Sequence, residues 1–144
     1  MKYKRILVAV DLSSHSEVVA KRAKAIAEEA GAILFMVHVV EHSPIAYGGE
    51  FCIPINIDLE HTIETQARDL LGKLSRTVNV PEDRQYVLSG SVRLSVIDLA
   101  KQLNIDLLIV GTHGYHGIDR LLGSRANAIL HYAQCDVLAI RMTE

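Results

Sequence analysis

The sequence predicts an α/β domain over residues 1–144, built on a five-stranded parallel sheet in the order 3-2-1-4-5 with helices on both faces. Three observations carry this prediction. Short apolar runs alternate with stretches of helical periodicity, an order that selects βαβ units with right-handed crossovers. The strongest runs are β-branched and lack polar alternation, as strands covered on both faces do. Two βαβ halves winding in opposite directions from the first strand give the strand order. They also open a crevice beyond the carboxyl ends of strands 1 and 4.

The first strand is Ile6–Val10 (ILVAV), ended by Asp11. Basic residues precede it, but five apolar residues are too few for a signal segment or a membrane span. Ser13 or Ser14 is placed to cap the first helix. Glu17 lies in its first turn, Val19, Ala23, Ile26, Ala27 and Ala30 form its apolar stripe, and Gly31 stops it. The second strand is Ile33–Val40 (ILFMVHVV). A second helix starts near Asp58, with Leu59, Ile63, Ala67, Leu70, Leu71 and Leu74 at helical spacing. Tyr86–Leu88 is a weaker third strand. The third helix follows Ser91, with Val92, Val96, Leu99, Ala100 and Leu103 facing inward. Leu107–Val110 (LLIV) is the fourth strand and Val137–Ile140 the fifth. Between them a fourth helix begins at Ser124, with Ala126, Ala128 or Ile129, and Tyr132 as a looser stripe. One long irregular stretch remains, Glu41–Ile57, and loops of such length in compact domains are usually functional or mobile.

Composition narrows the function classes. With 49% hydrophobic and 22% charged residues the chain is globular, and its net charge of −2 gives no basic surface for nucleic acid or an anionic membrane. The two cysteines, Cys52 and Cys135, form neither a disulfide framework nor a zinc motif, so both are expected reduced and the protein cytoplasmic.

The chemistry concentrates at the crevice. Strand 1 delivers Val10, Asp11, Leu12 and Ser13; strand 4 delivers Val110 and Gly111, then a loop through Gly114 to Gly123 and Ser124. Gly111 and Gly114 permit close backbone approach. Gly123 and Ser124 sit where a helix begins, so free N–H groups and the helix dipole favour an anion, and Arg125 adds positive charge. The loop is a candidate phosphate cradle. It is not GxxxxGK[ST], and no GxGxxG follows the first strand, so neither a P-loop NTPase nor a dinucleotide enzyme is indicated.

The segments KRILVAVDLSSHS, FMVHVV, DLLIVGTHGYHGIDRLLGSRANAIL and CDVLAIRM, taken in order along the whole chain, resemble the universal stress protein family. The resemblance implies a Rossmann-like domain, commonly a homodimer paired through the fifth strand, that binds ATP or AMP in the crevice. By position, Asp11 would lie at the ribose-phosphate side and the Val39 backbone would meet adenine. Val110 and Gly111 would flank adenine and ribose, while Gly114, Gly123 and Ser124 would hold phosphates. Eight residues, Tyr115 to Leu122, separate Gly114 from Gly123, one fewer than in nucleotide-binding members. The function implied is a nucleotide-binding stress-response and signalling module with little or no catalysis. The alternative is a dimeric scaffold that binds no nucleotide.

Other readings of the same residues are weaker. The chain has seven histidines, and His38, His42, His113 and His116 with Asp11 would suit a metal only if the fold gathered them. His38, inside an apolar run, reads more simply as a core histidine with one backbone hydrogen bond. Asp11, Ser13 and His113 superficially suggest a hydrolytic triad, but no GxSxG accompanies them. Asp11 is also placed to hold Mg²⁺ on bound phosphates, though with no catalytic lysine or arginine any phosphoryl transfer would be slow. A flavin carrier is disfavoured by an aromatic content of 5% without tryptophan.

Overall fold

Continuous β-branched runs become the inner strands of a sheet whose order is β3-β2-β1-β4-β5, with every neighbouring pair parallel. The computed structural model describes residues 2–41, 57–113 and 124–142. Along the chain lie β1 (Arg5–Ala9), α1 (Ser16–Ala30), β2 (Ile33–Val40) and α2 (Ile57–Thr77). A 3-10 turn at Glu82–Arg84 leads into β3 (Gln85–Ser89), α3 (Val92–Gln102), β4 (Leu107–His113), α4 (Ser124–Tyr132) and β5 (Asp136–Met142). The predicted fold class and strand order are therefore those observed.

Alternation along each strand divides the core in two. Ile6, Val8, Leu34, Met36 and Ile109 face α1 and α2, against Val19, Ala23, Ala27, Ala67 and Leu71. Leu7, Phe35, Val37, Leu108 and Val110 face α3 and α4, against Val96, Leu99, Ala100 and Ile129. Burying one such aliphatic side chain contributes about 1.5–3 kcal/mol, so both layers hold the sheet between them.

Several local expectations need correction. The first strand begins and ends one residue early, at Arg5 and Ala9, although the Val10 N–H still donates to the Val37 carbonyl at 2.9 Å. Neither Ser13 nor Ser14 caps α1: His15 occupies the cap position without a side-chain bond, because Ser13 is folded into the preceding turn. On α2 only Ala67 and Leu71 of the predicted stripe are buried, whereas Leu59, Ile63 and Leu70 stay exposed. Tyr132 is exposed too, its ring covered by the Arg93 guanidinium at 4.8 Å.

Other signals behave as read. Gly31 ends α1 at φ 68°, with its N–H on the Glu28 carbonyl (3.2 Å) and the Ala32 N–H on Ala27 (2.8 Å). Ser91 caps α3, its hydroxyl accepting the Leu94 N–H at 3.3 Å. Most of the Glu41–Ile57 stretch, with Cys52 and His42, lies outside the described residues, as do Gly114, His116 and Gly123. Among the described residues no helix is long and apolar enough to cross a membrane.

Candidate functional site

A cavity of about 440 Å³ opens at the carboxyl ends of β1, β2 and β4, where the strand order turns back on itself. That volume is in the range of small-molecule sites. Its floor is the end of the sheet: Ala9, Val10, Val37, Val39, Val110 and Gly111. One wall comes from α2, through Ile63, Gln66, Ala67 and Leu70; the opposite wall comes from Val92, Val96 and Ile129 on α3 and α4. Asp11, Leu12, Ser16, Val19, His38, Val40 and Glu41 supply the remaining lining.

The turn after β1 is tied by one carboxylate oxygen. Asp11 Oδ1 accepts the Ser13 N–H at 3.0 Å and the Ser16 hydroxyl at 2.9 Å, and Ser16 is buried at the start of α1. Within this turn Leu12 has φ 60°, a left-handed conformation that costs a non-glycine residue about 1–2 kcal/mol. The bonds made by Asp11 hold that strained residue at the cavity edge, as strained residues at ligand sites commonly are held.

The β1–β2 ladder ends beside it. In a parallel pair, alternate residues of one strand bond to the same neighbour. The Val37 carbonyl accepts from Val10 on the β1 side, and the Val40 carbonyl accepts from Gly90 on the β3 side at 3.0 Å. Val39 therefore directs its N–H and C=O toward β1, but the paired register stops at Ala9 and Val37. The Val10 carbonyl, which the next rung would give to the Val39 N–H, instead accepts from His38 Nδ1 at 2.8 Å. A carbonyl only accepts, so this nitrogen carries the proton. His38 is thus the half-buried histidine with one backbone bond that its apolar context suggests.

Of the predicted site residues, the fold brings Val10, Asp11, Leu12, Val39, Val110 and Gly111 around one cavity. Ser13 does not line it, being engaged with Asp11 and with the His15 N–H, which its hydroxyl accepts at 3.2 Å. Ser124 and Arg125 open α4 in the backbone; their side chains, with Gly114 and Gly123, lie outside the description. Sequence reasoning missed the α2 wall and the partner of His38, the Val10 carbonyl. A signal for the wall was present, since Ile63 and Leu70 are apolar yet sit to one side of the Ala67–Leu71 stripe.

Charge at the cavity is acidic among the described lining residues: Asp11 and Glu41 contribute carboxylates, and none is lysine or arginine. An anionic ligand here would need a cation or loop N–H groups to offset them. Among the described residues no three His, Cys, Asp or Glu side chains gather as a metal site. Cys135 lies elsewhere, and burial first, then the Asp136 and Asp106 charges, push its thiol above the usual range.

Comparison with known proteins bears on this arrangement. Residues 2–141 match the model of the Universal stress protein family. The chain is 61% identical over 144 residues to universal stress protein A homolog 1 of Coxiella burnetii, covering 100% of both chains. It is similar to the solved structure of universal stress protein UspA from Lactobacillus plantarum at 27% identity and TM-score 0.79, covering 98% of this chain and 99% of that one. It also shares its fold with a universal stress protein solved in complex with cAMP, at 22% identity and TM-score 0.68, covering 99% of this chain and 100% of that one. The chain belongs to the universal stress protein family.

Proposed function

We propose that the cavity binds an adenine nucleotide, ATP or AMP, with Mg²⁺, and that the protein is a cytoplasmic stress-response signalling module acting as a homodimer through β5, with little or no catalysis. The observation that carries this reading is the end of β2 on its β1 side, where the paired register stops at Ala9 and Val37. Val39 presents a backbone donor and acceptor to a cavity with apolar walls, the complement of the N1 and N6 edge of adenine. The carboxylates of Asp11 and Glu41 favour a ligand that arrives with a cation, which supports Mg²⁺ alongside the phosphates. The cAMP complex of a family relative with the same fold supports the ligand class. Val110 and Gly111 would flank the base and ribose, and Gly114, Gly123 and Ser124 would hold phosphates as the resemblance implies.

Calorimetric titration with Mg-ATP and with AMP tests the reading. Saturable heat is expected, lost in Gly114→Val or Gly123→Val. No heat at millimolar Mg-ATP would overturn it. A second reading, a dimeric scaffold without nucleotide, draws on the loop from Tyr115 to Leu122, one residue shorter than in nucleotide-binding members. A single deletion shifts an N–H by more than the tolerance of a hydrogen bond. On that reading the two glycine changes alter stability alone.

A further inference from the structure

We infer that His38 is a positioning residue: its Nδ1–H closes the β1–β2 ladder one bond early and so leaves the Val39 amide open to the cavity. In a regular parallel ladder Val10 would donate to the Val37 carbonyl and accept from the Val39 N–H. The first bond is present at 2.9 Å and the second is replaced by the 2.8 Å bond from the His38 side chain. The register accordingly stops at Ala9 and Val37, although β2 continues to Val40 along β3.

The replacement has a cause in sequence. His38 falls between Met36 and Val40 on the face toward α1 and α2, and a short side chain with a nitrogen donor at the δ position can turn back onto the neighbouring strand's last carbonyl. Once that carbonyl is satisfied, the chain after Val10 no longer needs to follow β2. It turns at Leu12, φ 60°, into α1. Val39 then keeps its N–H and C=O at the cavity floor, where Val39 itself is a lining residue. An apolar residue at position 38 would leave the Val10 carbonyl unbonded, and the Val39 N–H would move onto it, removing the donor from the cavity.

That the opened amide meets a ligand rests on the nucleotide reading above; that His38 opens it does not. Amide hydrogen exchange on the ligand-free protein separates the two. In the wild type the Val39 amide is expected to exchange at least about tenfold faster than that of Val37. In His38→Leu it should slow to the Val37 level. In His38→Asn it should stay fast, because the Asn amide nitrogen stands near the position of Nδ1, whereas His38→Gln, whose nitrogen reaches further, should resemble His38→Leu. A merely structural histidine would not move this one amide while sparing its neighbours. The inference is overturned if the wild-type Val39 amide is as protected as Val37, or if it remains fast in His38→Leu. Adding Mg-ATP to the wild type should then protect Val39. If it does not, while the ligand-free pattern holds, the nucleotide reading falls and the role of His38 stands.

Discussion

Asp106 and Arg5 clasp each other across the entry to the two central strands. The Asp106 N–H donates to the Arg5 carbonyl at 2.9 Å, and the Asp106 carboxylate accepts the Arg5 N–H at 3.1 Å. The same carboxylate accepts the Lys4 N–H at 2.9 Å, and the Arg5 side chain reaches back to the Leu103 carbonyl. This pairing sets the register of β1 on β4, Ile6 opposite Leu107, and hence where both strands end at the cavity. Asp106→Ala leaves two N–H groups without that acceptor. A loss of about 1–2 kcal/mol is expected, read as a fall in Tm of roughly 3–8 °C. Asp106→Asn, which keeps one acceptor, should lose less; equal stability of wild type and Asp106→Ala would show that the clasp is idle.

The sheet was legible because each strand is an apolar run; its edges were not. β4 extends past Val110 through Gly111 and Thr112, which pair with Ile140 and Arg141 of β5. Neither Thr112 nor Arg141 is apolar, so only the neighbouring strand reveals them as β. The cap at His15 was hidden for a different reason. Ser13 has the chemistry of a cap, but Asp11 two residues earlier competes for its backbone and folds it into a turn. At the site, Asp11, Val110 and Gly111 followed from the strand order, since residues at the ends of adjacent strands must meet, while Val39 followed only from the family resemblance. The bond from His38 to Val10 spans two strands and depends on register, which a linear pattern does not carry.

Gly31 gives a cleaner test of backbone strain. A Cβ there would meet only the Lys2 side chain, at 3.7 Å, so space is not the obstacle; φ at 68° is. Gly31→Ala should cost about 1 kcal/mol from the left-handed conformation alone, and Gly31→Asn less, because Asn tolerates that region better. Chemical denaturation reads both. An unchanged midpoint in Gly31→Ala would mean that the turn relaxes to negative φ.

Asp11 serves the turn through one oxygen and the cavity through its charge, and substitution separates these roles. Asp11→Asn keeps an acceptor for the Ser13 N–H and the Ser16 hydroxyl, so stability should hold to within about 0.5 kcal/mol. Asp11→Ala loses both bonds, with an expected cost of about 1–2 kcal/mol. If Mg²⁺ accompanies the nucleotide, calorimetry should show a weakened Mg²⁺ dependence in both variants. Unchanged Mg²⁺ dependence in Asp11→Asn would remove the carboxylate from any cation role.

Cys135 predicts a pH dependence whose sign is fixed. Burial, followed by the Asp136 and Asp106 charges, raises its pKa, and a hydrogen bond with the Leu108 backbone opposes them. The folded state therefore favours the neutral thiol. This contribution to stability is fully present below the thiol pKa of the unfolded chain and is lost as pH rises through the higher folded value. In a Cys52→Ser background, iodoacetamide should alkylate native Cys135 more slowly than the denatured chain at pH 8 to 9, with the difference closing at higher pH. Equal rates at pH 8 would contradict the raised pKa.

The last prediction concerns the free side of β5. The strand pairs β4 along Asp136–Met142 and has no further neighbour among the described strands, so one row of backbone donors and acceptors lies at the sheet edge. Val137, Leu138 and Ala139 are only partly buried, and neither proline nor lysine interrupts the strand. Such edges invite pairing, and a second copy of the same strand satisfies them through a two-fold axis. A dimer at micromolar concentration is therefore expected in sedimentation equilibrium. Ala139→Lys brings two like charges close to that axis and should shift the population to monomer, while Leu130→Lys at an exposed position of α4 should leave it dimeric. A wild-type monomer would rule out pairing through β5. A dimer that survives Ala139→Lys but not Leu130→Lys would move the interface from the strand to the helix face.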